Sequence, residues 1–296
     1  MSHRTSAGAK FVLAITSVLA TSLAGSEARA QVIAHWSFNS QSGGGYADQT
    51  GNHNATIVTN GTGAITSVPG VFGNAASFNN GTGTQATNNA YMTIPQLSEI
   101  AGPSGTSFSV AAWVQTTNAT SNNPVLADWG TAATTNRFTY WFSSNNSGTA
   151  SQPRAQFRSS NNPNTDIVAR QATTNVADGA FHDIAWTWDK PSKTLLTYVD
   201  GALVDTFTSA QAVVDILQSD SLLGMIGRKS DTNNFFVGNL DELWVFNRPL
   251  TATEVSRLFS ANTISPVPEP TSLALLGVAA AGALVRWRRR GGSRLA

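Results

Sequence analysis

The chain has 296 residues, 41% of them hydrophobic and only 12% charged, and no cysteine. Disulfides, thiolate metal sites and a cysteine nucleophile are thereby excluded, and the length suits one large β sandwich as well as two smaller domains. The formal charge of +1 hides an uneven distribution: eight of the eighteen basic residues lie in the two end segments. The body between them keeps ten basic against fifteen acidic residues, about −5. A weakly acidic body with no basic run is a poor nucleic-acid binder.

Residues 1–30 have the form of a secretory signal. Arg4 and Lys10 make a basic start, Phe11 to Gly25 an apolar stretch, and Ala28-Arg29-Ala30 a small-residue cleavage site that would leave Gln31 as the new N-terminus. Val32 to Phe38 is the first expected strand; its lone His35 is assigned no role. A polar loop (40–54) follows, with Asp48 and Asn52. Short strands are expected at 55–58, 75–78 and 91–94, separated by Gly/Asn/Thr loops. Ser107 to Thr116 alternates Phe108, Val110, Ala112 and Val114 on one face with Trp113 and Gln115 on the other. Shorter strand candidates lie at 125–129, 137–142, 154–158 and 167–170.

The clearest pattern is Phe181 to Val204. His182, Ile184, Trp186 and Trp188 fall on one face, and Asp183, Ala185, Thr187 and Asp189 on the other, the period of a half-buried strand. Pro191 within DKPSK turns the chain, and Asp200-Gly201 is a two-residue hairpin turn because both tolerate φ > 0. Strands at 222–226 and 235–246 follow. Thr251-x-x-Glu254 is a capping box opening a helix whose apolar face is Val255, Leu258 and Phe259. About a dozen strands without intervening helices predict an all-β, two-sheet antiparallel sandwich. Trp36, Trp113, Trp186, Trp188 and Trp244 are expected mostly in its core.

The tail is a separate device. After a linker (262–267), Pro268-Glu269-Pro270 precedes an apolar run from Leu273 to Val285, then Arg286, Arg288, Arg289 and Arg290; residues 291–296 trail behind. Thirteen residues span roughly 20 Å as a helix and need Thr271, Ser272 and a snorkelling Arg286 to cross a bilayer. The arginine cluster would stay cytoplasmic, placing the body outside.

Two blocks carry a family resemblance. FHDIAWTWD with LLTYVDGALV, and FVGNLDELWVFNRPLTATEVSRLF, resemble the central hairpins and closing strand of laminin-G-like (concanavalin-A-like) jelly rolls; pentraxins close similarly. Gly70 to Asn79 resembles the entry segment of that family. The resemblance implies one jelly-roll domain over residues 31–261. The order of Pro-Glu-Pro, short apolar helix and arginines over residues 268–290 resembles the PEP-CTERM sorting signal of Gram-negative bacteria. It implies a short transmembrane helix, processing by an exosortase, and delivery to the cell surface or extracellular matrix.

The chemistry expected of such a body is binding. Glycan hydrolases of this fold need paired carboxylates about 5 to 10 Å apart. Asp241 and Glu242 are adjacent and would point to opposite faces of a strand, and Asp183 and Asp189 share a face but stand about 20 Å apart. A sugar platform is expected from Trp129, Arg137, Tyr140, Trp141 and Arg158 on the concave sheet. Oxygen-rich loops at the rim suit a structural calcium ion, with Asp48, Asn52 and Asp241 as candidate ligands, since first and last strands are neighbours in the family. Asn39 stands where relatives often carry an acid, and the alternative for Asp241 is a carboxylate that accepts backbone hydrogen bonds. Three functions follow: a surface protein binding a polysaccharide or matrix protein, a structural matrix protein without a ligand, or a hydrolase with a dispersed site.

Overall fold

The computed structural model describes residues 32–80, 88–100, 107–118, 123–129, 136–144, 151–160, 162–216, 223–229 and 234–264. The expected signal sequence with Ala30 and Gln31, and the expected sorting segment with Pro268 to Arg290, lie outside them. Among the described residues no helix is long and apolar enough to cross a membrane.

The strands are β1 (Val32–Trp36), β2 (Gln41–Ser42), β3 (Gly45–Tyr46), β4 (Ala55–Asn60), β5 (Ala64–Pro69), β6 (Asn74–Asn79), β7 (Asn89–Pro95), β8 (Phe108–Gln115), β9 (Asn123–Trp129), β10 (Asn136–Ser144), β11 (Ser151–Ser159), β12 (Asn162–Gln171), β13 (Phe181–Asp189), β14 (Thr194–Val199), β15 (Ala202–Thr208), β16 (Leu223–Ile226), β17 (Arg228–Lys229), β18 (Asn234–Phe235) and β19 (Gly238–Phe246), followed by the helix α1 (Ala252–Ala261). They form two antiparallel sheets. Sheet A runs β15-β14-β13-β8-β19-β6-β5, with β1 also on β19; sheet B runs β12-β11-β10-β9-β16-β7-β4-β3-β2. The expected sandwich is present, with the predicted pairing of first and last strands.

The inner faces meet as alternation demands. Phe108, Val110, Ile184, Trp186 and Trp188 of sheet A pack with Met92, Ile94, Leu126, Phe157 and Val168 of sheet B in one core. Phe157 stands edge-on to Trp188 with ring centroids 5.0 Å apart. Trp36 is fully buried there and donates its indole N–H to the His53 carbonyl at 2.8 Å. The Asp200-Gly201 turn has φ of 52° and 75°, the left-handed pair a two-residue hairpin requires.

Three features differ from the sequence expectation. β5 and the β2–β3 hairpin occupy stretches read as loop. β8 and β13 are buried on both faces, because α1 folds back over the outer face of sheet A. Ala111, Ala185, Tyr198 and Phe246 there form a second core with Val255 and Leu258 of the helix. The capping box at Thr251 is formed, and Glu254 also holds Arg248. Burial alone would raise the Glu254 carboxyl, but hydrogen bonds from Arg248 and Thr251 outweigh it and bring it to about 2. Third, a bulge in β19 gives Glu242 a φ of 49° and shifts the register between Asp241 and Trp244. Glu242 and Asp241 therefore both serve the outer side of sheet A: Glu242 bonds the His35 ring, which stacks on Trp244 at 3.4 Å. The expectation of opposite faces fails because the extra residue resets the alternation.

Candidate functional site: the outer face of sheet B

Helix α1 takes up the outer face of sheet A, so the broad face available for a ligand is that of sheet B. In β11, Ala155 and Phe157 enter the core, which sends Gln152, Arg154, Gln156 and Arg158 outward, all partly exposed. In β7, Met92 and Ile94 enter the core and Tyr91 and Thr93 face out. Ladder partners set one row across this face: Thr56, Thr93, Met225, Ala127, Thr139, Gln156, Ala169.

The five expected ligand residues fall on three adjacent strands of this sheet: Trp129 on β9, Arg137, Tyr140 and Trp141 on β10, and Arg158 on β11. Trp129 is in register with Asn136, Tyr140 with Ala155, and Trp141 with Arg154. Arg158 lies against Asp166 of β12, Nε to Oδ1 at 3.2 Å, while Gln156 donates to both oxygens of the same carboxylate at 3.1 Å. Arg170 makes a two-pronged pair with Asp205, at 2.7 and 2.6 Å, tying the edge of sheet B to the edge of sheet A.

Sequence reasoning missed the other half of the face. The Arg228 guanidinium lies over the Tyr91 ring at 4.6 Å and the Phe235 ring at 5.3 Å, and its Nε has no hydrogen-bond partner. The Gly227 N–H donates to the Val125 carbonyl, placing this group beside β9. Arg154 and Gln156 were also missed; their alternation with Ala155 and Phe157 is the signal that marks them.

The three expected calcium ligands are engaged separately. Asp48 accepts from the backbone N–H groups of His35, Thr50, Asn52 and His53 and from the Thr50 hydroxyl. Burial opposes its ionisation, but these bonds and the His53 ring hold the carboxyl well below the usual range. Asn52 contributes its backbone N–H to that cluster. Asp241 accepts from Val71 and Phe72, the hydrogen-bonded alternative weighed above. Among the described residues no group of three His, Asp or Glu has metal-binding spacing. Asp48 with Asn52, and Asp241, thus belong to two separate hydrogen-bond clusters. Melting the full chain with calcium and with chelator is expected to move Tm by less than about 2 °C; a larger fall with chelator would reveal a site made otherwise.

A polar crevice of about 240 Å³ at the end of β8 is lined by Gln115, Thr116, Thr117, Gly179, Gly238 and Asn239. Gln115 and Asn239 bond each other across it at 2.5 Å, so their amides are already partly used.

Comparison with known proteins agrees with this architecture. Residues 86–256 match the family described as the concanavalin A-like lectin/glucanases superfamily, and residues 266–290 match the PEP-CTERM protein-sorting motif. No curated protein matches the chain. Domain 4 of AbnA, a GH43 extracellular arabinanase from Geobacillus stearothermophilus solved in complex with arabinotriose, is similar in fold at TM-score 0.56 and 18% identity, covering 78% of this chain and all of that one. The botulinum neurotoxin serotype G binding domain superposes at TM-score 0.56 and 17% identity over 79% of this chain. A botulinum neurotoxin type C structure, whose cell entry depends on two ganglioside molecules, gives 0.52 and 12% over 81%. The chain spans about half the length of these toxin chains, 53% and 52%. The β body thus belongs to the concanavalin A-like lectin/glucanase superfamily, and the chain carries a PEP-CTERM protein-sorting motif behind it.

Proposed function

We propose that the protein is an exported glycan-binding module, sorted through an exosortase to the cell surface or matrix, whose ligand lies on the outer face of sheet B. The observation that carries the reading is the contrast between the two outer faces. That of sheet A is covered by α1 over β8, β13, β14 and β19, whereas β11 of sheet B keeps a row of partly exposed amides and guanidinium groups, with Arg154 in register with Trp141. Aromatic and hydrogen-bonding side chains together are what sugar recognition requires. Support comes from the arabinotriose-bound domain and the ganglioside-dependent toxin, which share the fold.

The module binds rather than cleaves. Asp166, the carboxylate described on this face, is held by Arg158 and Gln156 and has no second carboxylate opposite it among the described residues. The test is a glycan array probed with the full chain in mild detergent, beside the double variant Gln156→Ala, Arg158→Ala. Retention of at least one glycan class, lost by about tenfold or more in the variant, is expected. No retention across the array would favour a structural matrix protein, and reducing-sugar release would favour a hydrolase.

A further inference from the structure

The strands of the two sheets differ in their ionisable residues. The strands of sheet A contain five carboxylates, Asp183, Asp189, Asp205, Asp241 and Glu242, and no lysine or arginine. The strands of sheet B and the adjoining β17 contain six basic residues, at 137, 154, 158, 170, 228 and 229, and two acidic ones, Asp128 and Asp166. Six of the ten basic residues of an acidic body therefore belong to these strands.

Arg170 is paired with Asp205 and Arg158 with Asp166, and Arg154 is also engaged, with Asp166 acting on its charge. Arg228 is different. It caps the touching rings of Tyr91 and Phe235, and no carboxylate pairs with it among the described residues. A guanidinium held over aromatic faces is fixed in orientation; Arg228 is partly exposed as a whole, while its Nε is buried without a partner. Arg154 stands on the same face, three ladder steps away through Val125, Pro124 and Trp141, about 14 Å at strand spacing.

We propose that this face selects acidic glycans, with Arg228, held over Tyr91 and the buried Phe235, receiving a carboxylate or sulfate of the sugar. The proposal rests on the glycan-binding reading and narrows it to a substrate class. Its alternative, general attraction to polyanions, lacks the braced guanidinium and has no reason to distinguish one backbone from another.

The test uses the full chain and polysaccharides that share a backbone. Polygalacturonate is compared with its fully methyl-esterified form, dextran sulfate with dextran, and a single-stranded oligonucleotide serves as a non-sugar polyanion. Binding is read by affinity electrophoresis and calorimetry at low and high salt. At least one acidic chain is expected to bind about tenfold or more tightly than its neutral counterpart, with the difference shrinking in high salt. The two pairs separate carboxylate from sulfate as the group received. Arg228→Met, which keeps an apolar stem over the rings and removes the charge, is expected to erase most of that difference without changing Tm by more than a few degrees. Equal binding of acidic and neutral chains would overturn the acidic selection while leaving glycan binding intact. No binding to any polysaccharide would overturn both. Equal binding of the oligonucleotide, or an acidic preference unchanged in Arg228→Met, would also overturn the proposal. The wild-type comparisons decide it even if the variant folds poorly.

Discussion

Replacing Asp183 with asparagine is expected to stabilise the protein at neutral pH, by on the order of 2–4 kcal/mol at pH 7. Asp183 lies on the outer face of β13, directly across from Trp113 of β8, and Trp113 is in turn across from Asp241 of β19. The three form one buried row roofed by Phe259 of α1 and by Phe72, both in ring contact with Trp113. Within it Asp183 Oδ1, Trp113 Nε1 and Asp241 Oδ1 all lack hydrogen-bond partners. Burial, with Asp200 beside it, pushes the Asp183 carboxyl up to about 8. Burial also raises Asp241 to about 6, against the hydrogen bonds from Val71 and Phe72.

The sign follows from proton counts. Below about pH 4 the unfolded and folded states both hold the Asp183 proton. Between about 4 and 8 only the folded state holds it, so stability falls by about 1.4 kcal/mol per pH unit, and above 8 the full cost is in place. Asp241 adds a similar slope between about 4 and 6. His182, opposed by burial but raised by Asp200 and Asp178, and His53, raised mainly by Asp48, also give stability that fades as pH rises through their folded values. Denaturant melts across pH 4 to 9 are expected to show the domain most stable near pH 4 to 5. Asp183→Asn is expected to flatten the limb between 6 and 8. A wild-type profile flat or rising between pH 5 and 8 would refute the protonated row.

Asp48→Ala is expected to cost about 3–5 kcal/mol, the largest loss from any single polar substitution in the body. The carboxylate closes the loop after β1 by accepting five hydrogen bonds. One comes from His35 within that strand, at 2.8 Å, and the rest from residues 50, 52 and 53. Removal strands the backbone donors of a loop that also supplies the His53 carbonyl to Trp36. Because its carboxyl is held below the usual range, this contribution is present above about pH 4 and is lost as the solution is acidified past it. Together with Glu254 it sets the acid limb of the stability profile. The check is a urea melt of Asp48→Ala at pH 7 and pH 3: the deficit against the parent chain should shrink at the lower pH. A loss below 1 kcal/mol at pH 7 would show the loop is held by other means.

Short-range periodicity and local chemistry were legible from the residues alone. Ile184, Trp186 and Trp188 alternate toward one core, Asp200-Gly201 supplies the two positive φ values of a hairpin, and Thr251 with Glu254 caps the helix, each feature depending only on neighbours in the chain. The strands of β5 and of the β2–β3 hairpin depend on partners instead. Ala64–Pro69 is a strand because it pairs with Asn74–Asn79 beside it, and Gly45 because it pairs with Thr56.

Long-range pairing also decided the site. That β10 to β12 share a sheet with β7 and β16, and not with the acidic strands of sheet A, follows from the ladder order, and the contact with Tyr91 of β7 brings Arg228 onto the face that carries Arg154 and Arg158. The row of Asp183, Trp113 and Asp241 joins three strands up to 128 positions apart, and the bulge at Glu242 changes which side an acid serves. Residue types and their period determined that this chain makes two antiparallel layers with a capped helix behind them. Which outer layer is sealed, which is left open and where the charges gather were decided only when α1 docked and the strands chose their partners, because burial and electric field depend on what lies nearby in space.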